Sequence, residues 1–388
     1  MRPLDGIRVL DLTRLLPGPF ASLVLADLGA SVDKLEDPGG GDYLRAMPPV
    51  GANGTSAAFS ALNRNKRSLV LDLKRPAGKK AFLRLLPRYD VLFEQFRPGV
   101  LARLGLGHDA LLAEAPRLVI CALTGYGQTG PLAQRAGHDL NYLARAGVLG
   151  LMGPAGAAPP VPGWQMADVS GGLWSVVSIL AALRERDRTG RGALLDIAMV
   201  DGVLGFATLA MAGLGFGHAA ERGGEVLTGG IAPYNTYLSR DDCIMTLAAL
   251  EPKFWASFCR GVGVACDMTA LLPGPHQEAI KAEVAAIFRS KTRAEWETFA
   301  AEHDCCLEPA LRPDELLADP HLRARGLFFS PPGGSDGPEA GQFRLPVTPA
   351  DAAAPAPPER GQHSDEILRE AGLTAEEVAE LRREGATP

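Results

Sequence analysis

The sequence predicts an α/β protein: a parallel sheet covered by helices on both faces, with a smaller α+β domain inserted into it. Three observations carry that expectation. The first two hundred residues alternate short runs rich in Val, Ile and Leu with helical patterns, the βαβ rhythm of a sheet buried on both sides. After about residue 225, two alternating runs flank the polar turn Ser239-Arg240-Asp241-Asp242, which suggests an antiparallel hairpin. A proline-rich stretch, 346–358, reads as an extended linker ahead of two terminal helical segments.

Taken in order, the strand candidates are 7–12, 31–35, 68–73, 90–93 and 118–123, with helices such as 20–28 and 78–86 between them. The apolar run 173–183 reads as a buried helix. The uncharged run 202–220 invites comparison with a membrane span, but it holds five glycines and a histidine. A buried helix pair, or one helix with a break, fits it better. The hairpin strands are 234–238 and 243–248, followed by helices at 278–288 and 293–302. Segments 364–370 and 374–384 are helical, the second opening with the capping box Thr374-Ala375-Glu376-Glu377. The expected domains are 1–200 for the first part of the large domain, 201–224 for a helical connection, 225–325 for the small domain and 326–388 for a returning segment.

Composition narrows the class. Across 388 residues, 46% are hydrophobic and 22% charged, ordinary values for a soluble protein. A net charge of −6 and a pI near 5.7 argue against a nucleic-acid partner, while allowing local basic patches. The six cysteines, Cys121, Cys243, Cys259, Cys266, Cys305 and Cys306, include no C-x-x-C pair. That spacing fits reduced thiols in the cytosol and no structural zinc. The opening Met1-Arg2-Pro3-Leu4-Asp5-Gly6 lacks the apolar core of a signal peptide, so the expectation is a soluble, cytoplasmic protein with no membrane partner. The first βα turn reads Leu15-Leu16-Pro17-Gly18-Pro19 rather than G-x-G-x-x-G, and no Walker A sequence occurs. Nicotinamide and ATP chemistry are therefore disfavoured.

Three words carry the chemistry. Gly137-His138-Asp139-Leu140-Asn141-Tyr142 is answered by Asp168, in Ala167-Asp168-Val169-Ser170-Gly171-Gly172, and by Glu251, in Leu250-Glu251-Pro252. An imidazole titrates near neutral pH, and with two carboxylates it makes an acid/base set able to move a proton on and off carbon. Each residue also has a plainer reading. His138 is otherwise a buried imidazole satisfied by a carbonyl. Asp168 is otherwise the N-cap of the helix that follows, and Glu251 an acidic residue favoured by a helix starting at Pro252. Asp139 either helps position the imidazole or serves as a structural acceptor. Asp201, Asp241 and Asp242 read as helix-end and turn residues. Met152, Met166, Met199, Met211 and Met245 read as core filling before an adaptable acyl slot.

Further words run in a consistent order: Gly6-Ile7-Arg8-Val9-Leu10-Asp11-Leu12, Leu25-Ala26-Asp27-Leu28-Gly29-Ala30, Asn65-Lys66-Arg67-Ser68, Leu71-Asp72-Leu73-Lys74, Phe96-Arg97-Pro98-Gly99-Val100 and Gly361-Gln362-His363-Ser364-Asp365-Glu366-Ile367-Leu368. Together they resemble the α-methylacyl-CoA racemases, a branch of the family III CoA-transferases, over nearly the whole chain. The resemblance implies a Rossmann-like large domain built from both chain ends, a small domain, and two subunits interlocked like chain links. The active site would then lie between the large domain of one subunit and the small domain of the other. His138 and Asp168 would work on opposite faces of an α-carbon, with Glu251 of the partner subunit orienting His138. In the transferases, Asp168 would instead be the nucleophile that forms a mixed anhydride. No separate cofactor or metal is implied, because CoA enters as part of the thioester substrate. The residues expected against CoA are Leu15, Lys34, Arg64, Lys66, Arg67, Gln95, Phe96, Arg97 and Arg103. Asp37 stands where the family commonly carries an arginine, so those cations have to supply the charge it lacks.

Overall fold

The computed structural model describes residues 2–51, 54–329, 342–350 and 356–388, so 351–355 of the proline-rich stretch lie outside it. The chain divides into two compact units. The first combines Met1–Leu143, Trp164–Val203 and Leu317–Pro388, and the second combines Ala144–Gly163 with Leu204–Leu316. These boundaries correct the expected ones: 144–163 group with the second unit, which begins at Leu204 rather than at 225. The run 202–220 is helical, as expected, but its larger part groups with the second unit. It forms the helical pieces Met199–Leu204, Gly205–Ala207 and Thr208–Leu214. This is the helix with a break of the two expectations rather than a buried pair: Leu209, in the last piece, is 70% exposed and Phe216, just beyond it, 94%.

The first unit is built on six strands: β1 (Arg8–Asp11), β2 (Ser31–Glu36), β3 (Lys66–Val70), β4 (Val91–Glu94), β5 (Val119–Thr124) and β6 (Ala193–Ala198). They lie in the order β3-β2-β1-β4-β5-β6, and every neighbouring pair is parallel. Both β4 and β5 are buried at every position, as a sheet covered on both faces requires. β3 ends at Val70 rather than 73, because the amide of Asp72 turns to the carbonyl of Ala386. β6 escaped the sequence reading; it is an edge strand with partly exposed positions and an aspartate, Asp196, in its middle.

The helices Pro17–Asp27 and Pro76–Leu85 both open on proline, whose fixed φ suits a first turn where no amide partner is needed. The helix Met166–Thr189 ends on Gly190 in the left-handed conformation and packs on β5, β6 and Pro17–Asp27. It is long and apolar enough to cross a membrane, yet half of its apolar window is buried inside the protein, as in a core helix. Its close approach depends on glycine. A Cβ on Gly172 would lie 2.8 Å from the Pro17 carbonyl oxygen, and one on Gly171 2.6 Å from Cγ of Met199.

The chain end completes this unit. Val70 donates its amide to Ser364 Oγ at 3.1 Å, and its carbonyl accepts from Thr387 Oγ1 at 2.8 Å. The helices Ser364–Glu370 and Ala375–Arg383 follow, the latter with its capping box formed by Thr374 and Glu377.

The second unit carries an antiparallel sheet, β7 (Tyr234–Leu238), β8 (Ile244–Ala248) and β9 (Leu307–Pro309). Its core is aromatic. Trp255, Phe258, Phe288, Trp296 and Phe299 meet with ring centroids 4.6 to 6.4 Å apart, the spacing favoured by stacked and edge-on rings. The helices Pro252–Val262, Gln277–Phe288 and Arg293–Glu302 supply these rings.

Candidate active site

The strand order of the first unit reverses between β1 and β4. Loops leaving the C-terminal ends of those strands diverge there and open a crevice, the usual ligand site of an open α/β sheet. Two cavities occupy it, of about 700 Å³ and about 560 Å³. Arg14, Tyr43, Gln95, Phe96 and Arg97 line both. The guanidinium of Arg14 lies 5.0 Å from the Tyr43 ring and 5.7 Å from the Phe96 ring, and it donates to the Tyr43 hydroxyl at 3.0 Å. Leu15 has φ 65°, a left-handed conformation that costs a residue with a Cβ about 1–2 kcal/mol. Asp42 holds this turn: its Oδ1 accepts from the amides of Leu15 (3.1 Å) and Leu44 (3.0 Å).

The cations expected to meet CoA separate into two groups. Lys34 is buried, ion-paired to Asp42 at 2.9 Å and donating to the Thr13 carbonyl at 2.7 Å. Arg64 is buried against Asp27 at 2.6 Å. Lys66 lies 3.6 Å from Asp11 and donates to Ser22 Oγ, Asn63 Oδ1 and the Pro19 carbonyl. Burial pushes its ammonium down to about 7 against the pull of Asp11. Arg67 forks onto Asp33 and reaches Glu366 and Glu370, near the strand end remote from the crevice. None of these four lines either cavity of the crevice, where the phosphate-binding expectation would have them, and a cation already paired must break that pair to accept a phosphate. Arg103, exposed on the short helix Val100–Arg103, lies outside the walls of both cavities.

Leu15, Gln95, Phe96 and Arg97 do line the crevice. Asp37 lines the larger cavity, its carboxylate accepting from the amide of Gly39 at 2.7 Å. Two cations there were not among the sequence candidates, Arg14 and Lys74. Both follow the C-terminal end of a strand, and that position was the signal that could have found them.

His138 and Asp168 line the smaller cavity together, with Asn141, Tyr142 and Tyr126. His138 is exposed, which removes the reading of a satisfied core histidine. Its amide donates to Asn141 Oδ1 at 3.1 Å. Asp168 is the third residue of its helix rather than the N-cap, which is Gln165. Among the described residues no hydrogen bond reaches its carboxyl, and burial, followed by the charge of Asp139, pushes it up to about 7. Burial and Asp168 likewise push the Tyr142 phenol up to about 12, and its hydroxyl donates to the Gly137 carbonyl at 2.5 Å. Asp139 Oδ1 accepts from the amides of Ala167 (2.6 Å) and Asp168 (3.0 Å), so it is a structural acceptor. Glu251 belongs to the second unit, where it is the N-cap residue of Pro252–Val262 with no side-chain capping bond.

A model of the family described as CoA-transferase family III matches residues 4–364. The chain is 37% identical over 381 residues to the alpha-methylacyl-CoA racemase of Homo sapiens, covering 97% of this chain and 96% of that one. It is 31% identical over 382 residues to the succinyl-CoA:glutarate CoA-transferase of Mus musculus, covering 95% and 86%. The crystal structure of a CAIB/BAIF family protein from Brucella suis superposes with a TM-score of 0.82 at 31% identity, covering 95% of this chain and 99% of that one. The family match begins before β1 and ends at the start of the helix Ser364–Glu370, so every residue lining the two cavities falls within it. The chain belongs to CoA-transferase family III.

Proposed function

We propose that the protein epimerises 2-methylacyl-CoA thioesters by proton transfer at the α-carbon. The observation that carries this reading is the Asp168 carboxyl, raised to about 7 in the same cavity as the exposed imidazole of His138. A carboxyl poised there exchanges between acid and base near neutral pH, and so does an imidazole. One group takes the α-proton to leave an enolate, and the other returns a proton to the opposite face. A transferase would use Asp168 as an ionised nucleophile, and a carboxyl near 7 is half protonated at neutral pH.

The CoA portion occupies the larger cavity in this reading, with Arg14, Lys74 and Arg97 supplying positive charge for its phosphates. Glu251 reaches His138 from a second copy of the chain, interlocked with the first. The half-exposed apolar side chains of Leu173, Trp174 and Val177, all on the helix Met166–Thr189, support a partner of that kind.

Proton NMR of the enzyme with one epimer of a 2-methylacyl-CoA in D₂O tests the proposal. The expected result is loss of the α-proton signal and growth of the other epimer, both abolished by His138→Ala and by Asp168→Ala. Failure to exchange, with thioester formation once a free carboxylic acid is added, would assign the protein to the transferases.

A further inference from the structure

We infer that Asp139 is a positioning residue that ties the His138 loop to the helix bearing Asp168 and keeps a fixed negative charge beside the Asp168 carboxyl. The inference rests on the proton-transfer reading above, and it starts from an ordinary problem of helix ends. The first-turn amides of an α-helix have no partners within the helix. Here the N-cap residue, Gln165, contributes no side-chain bond. The cap comes from elsewhere: Oδ1 of Asp139, 29 residues before Asp168, accepts from Asp168 at 3.0 Å and from Ala167 at 2.6 Å.

Two consequences follow from where Asp139 sits. It is peptide-bonded to His138, so the imidazole loop cannot shift along the Asp168 helix without breaking two charge-assisted bonds. The spacing of the two acid/base groups is thereby set by one side chain. Its charge also opposes ionisation of the neighbouring carboxyl. The other groups around the smaller cavity do not cancel this effect. Tyr142 spends its hydroxyl on Gly137. Tyr126, His138, Arg14, Arg97 and Arg135 line the same cavity, and among the described residues Asp168 forms no ion pair with any cation.

Two substitutions separate the tie from the charge. Asp139→Asn keeps an acceptor oxygen for both amides and removes the charge, whereas Asp139→Ala removes both. The Asp168 carboxyl is followed by ¹³C NMR titration of the full-length protein, its resonance assigned by its loss in Asp168→Asn. In Asp139→Asn the midpoint should fall by about one pH unit, and the acid limb of α-proton exchange should move with it. In Asp139→Ala the exchange kcat should fall by about thirtyfold with KM changed less than about twofold, as expected when an interaction made for the reaction rather than for binding is lost. An unmoved titration midpoint in Asp139→Asn, or wild-type exchange in Asp139→Ala, overturns the inference. If the wild-type enzyme exchanges no α-proton, the proposed reaction fails, while the titration still decides whether Asp139 governs Asp168.

Discussion

At the N-terminal end of the six-stranded sheet, arginines and carboxylates satisfy one another: Arg8 and Arg67 both reach Asp33 and Glu370. At the C-terminal end, Arg14 is flanked by two aromatic rings. Neither it nor Lys74 nor Arg97 forms an ion pair among the described residues. A guanidinium closed on a carboxylate has little left to offer an anion, whereas one held by ring faces keeps its charge for a ligand. Carboxylates divide in the same way. Burial alone would raise Asp11, but Lys34, Lys66 and hydrogen bonds from Ser22 and Thr13 hold it below the usual range. Asp168 has no such cation and rises to about 7. Of the groups compared, those without an ion-pair partner among the described residues line the crevice.

The largest effect that would break this contrast is on the closed side. Lys66→Met leaves Asp11 buried with its nearer cation gone, and it should cost about 3 kcal/mol or more in urea unfolding. The double variant with Asp11→Asn should recover most of that loss. If Lys66→Met instead left stability intact and weakened CoA binding, the division of the cations would be wrong.

A smaller effect of opposite sign is expected at Asp168. Its folded pKa, about 7, lies above the roughly 3.9 of an unfolded aspartate. The carboxyl therefore costs stability in full above about pH 7, in part between the two values, and not at all below the lower one. Asp168→Asn should raise stability by about 2 kcal/mol near pH 8, allowing for partial solvent exposure, and the gain should shrink as the pH is lowered towards about 4. A variant no more stable than wild type at pH 8 would show that the carboxyl is not poised as described. The smallest effect sharpens the open side. Arg14→Gln should weaken acyl-CoA binding about tenfold, or about 1.4 kcal/mol by calorimetry, with thermal stability little changed. Arg67→Gln should leave that affinity untouched.

The sheet was legible where burial on both faces produces continuous apolar runs, as in β4 and β5. It was illegible at β6, where exposure lets a charged residue interrupt the run. His138 and Asp168, singled out in the sequence by residue type, do line one cavity. The sorting of the cations was not legible. Arg64 finds its carboxylate 37 residues away and Arg67 finds Glu370 at a separation of 303, and no local pattern reports such pairings. Asp168 looked like a cap for a related reason: the capping oxygen comes from Asp139, the first residue of a separate helix, Asp139–Arg145.

Gly172 lies one turn beyond Asp168 on the same helix, and its missing side chain lets that helix rest against Pro17. The helix is already as near as it can come. A methyl group at 172 would lever the turn outward and shift the carboxyl at 168 within the smaller cavity. In the proposed proton transfer, size at 172 would therefore matter as well as chemistry at 168, although Gly172 lines neither cavity. Whatever ligand the crevice takes, this helix stays where glycine lets it lie.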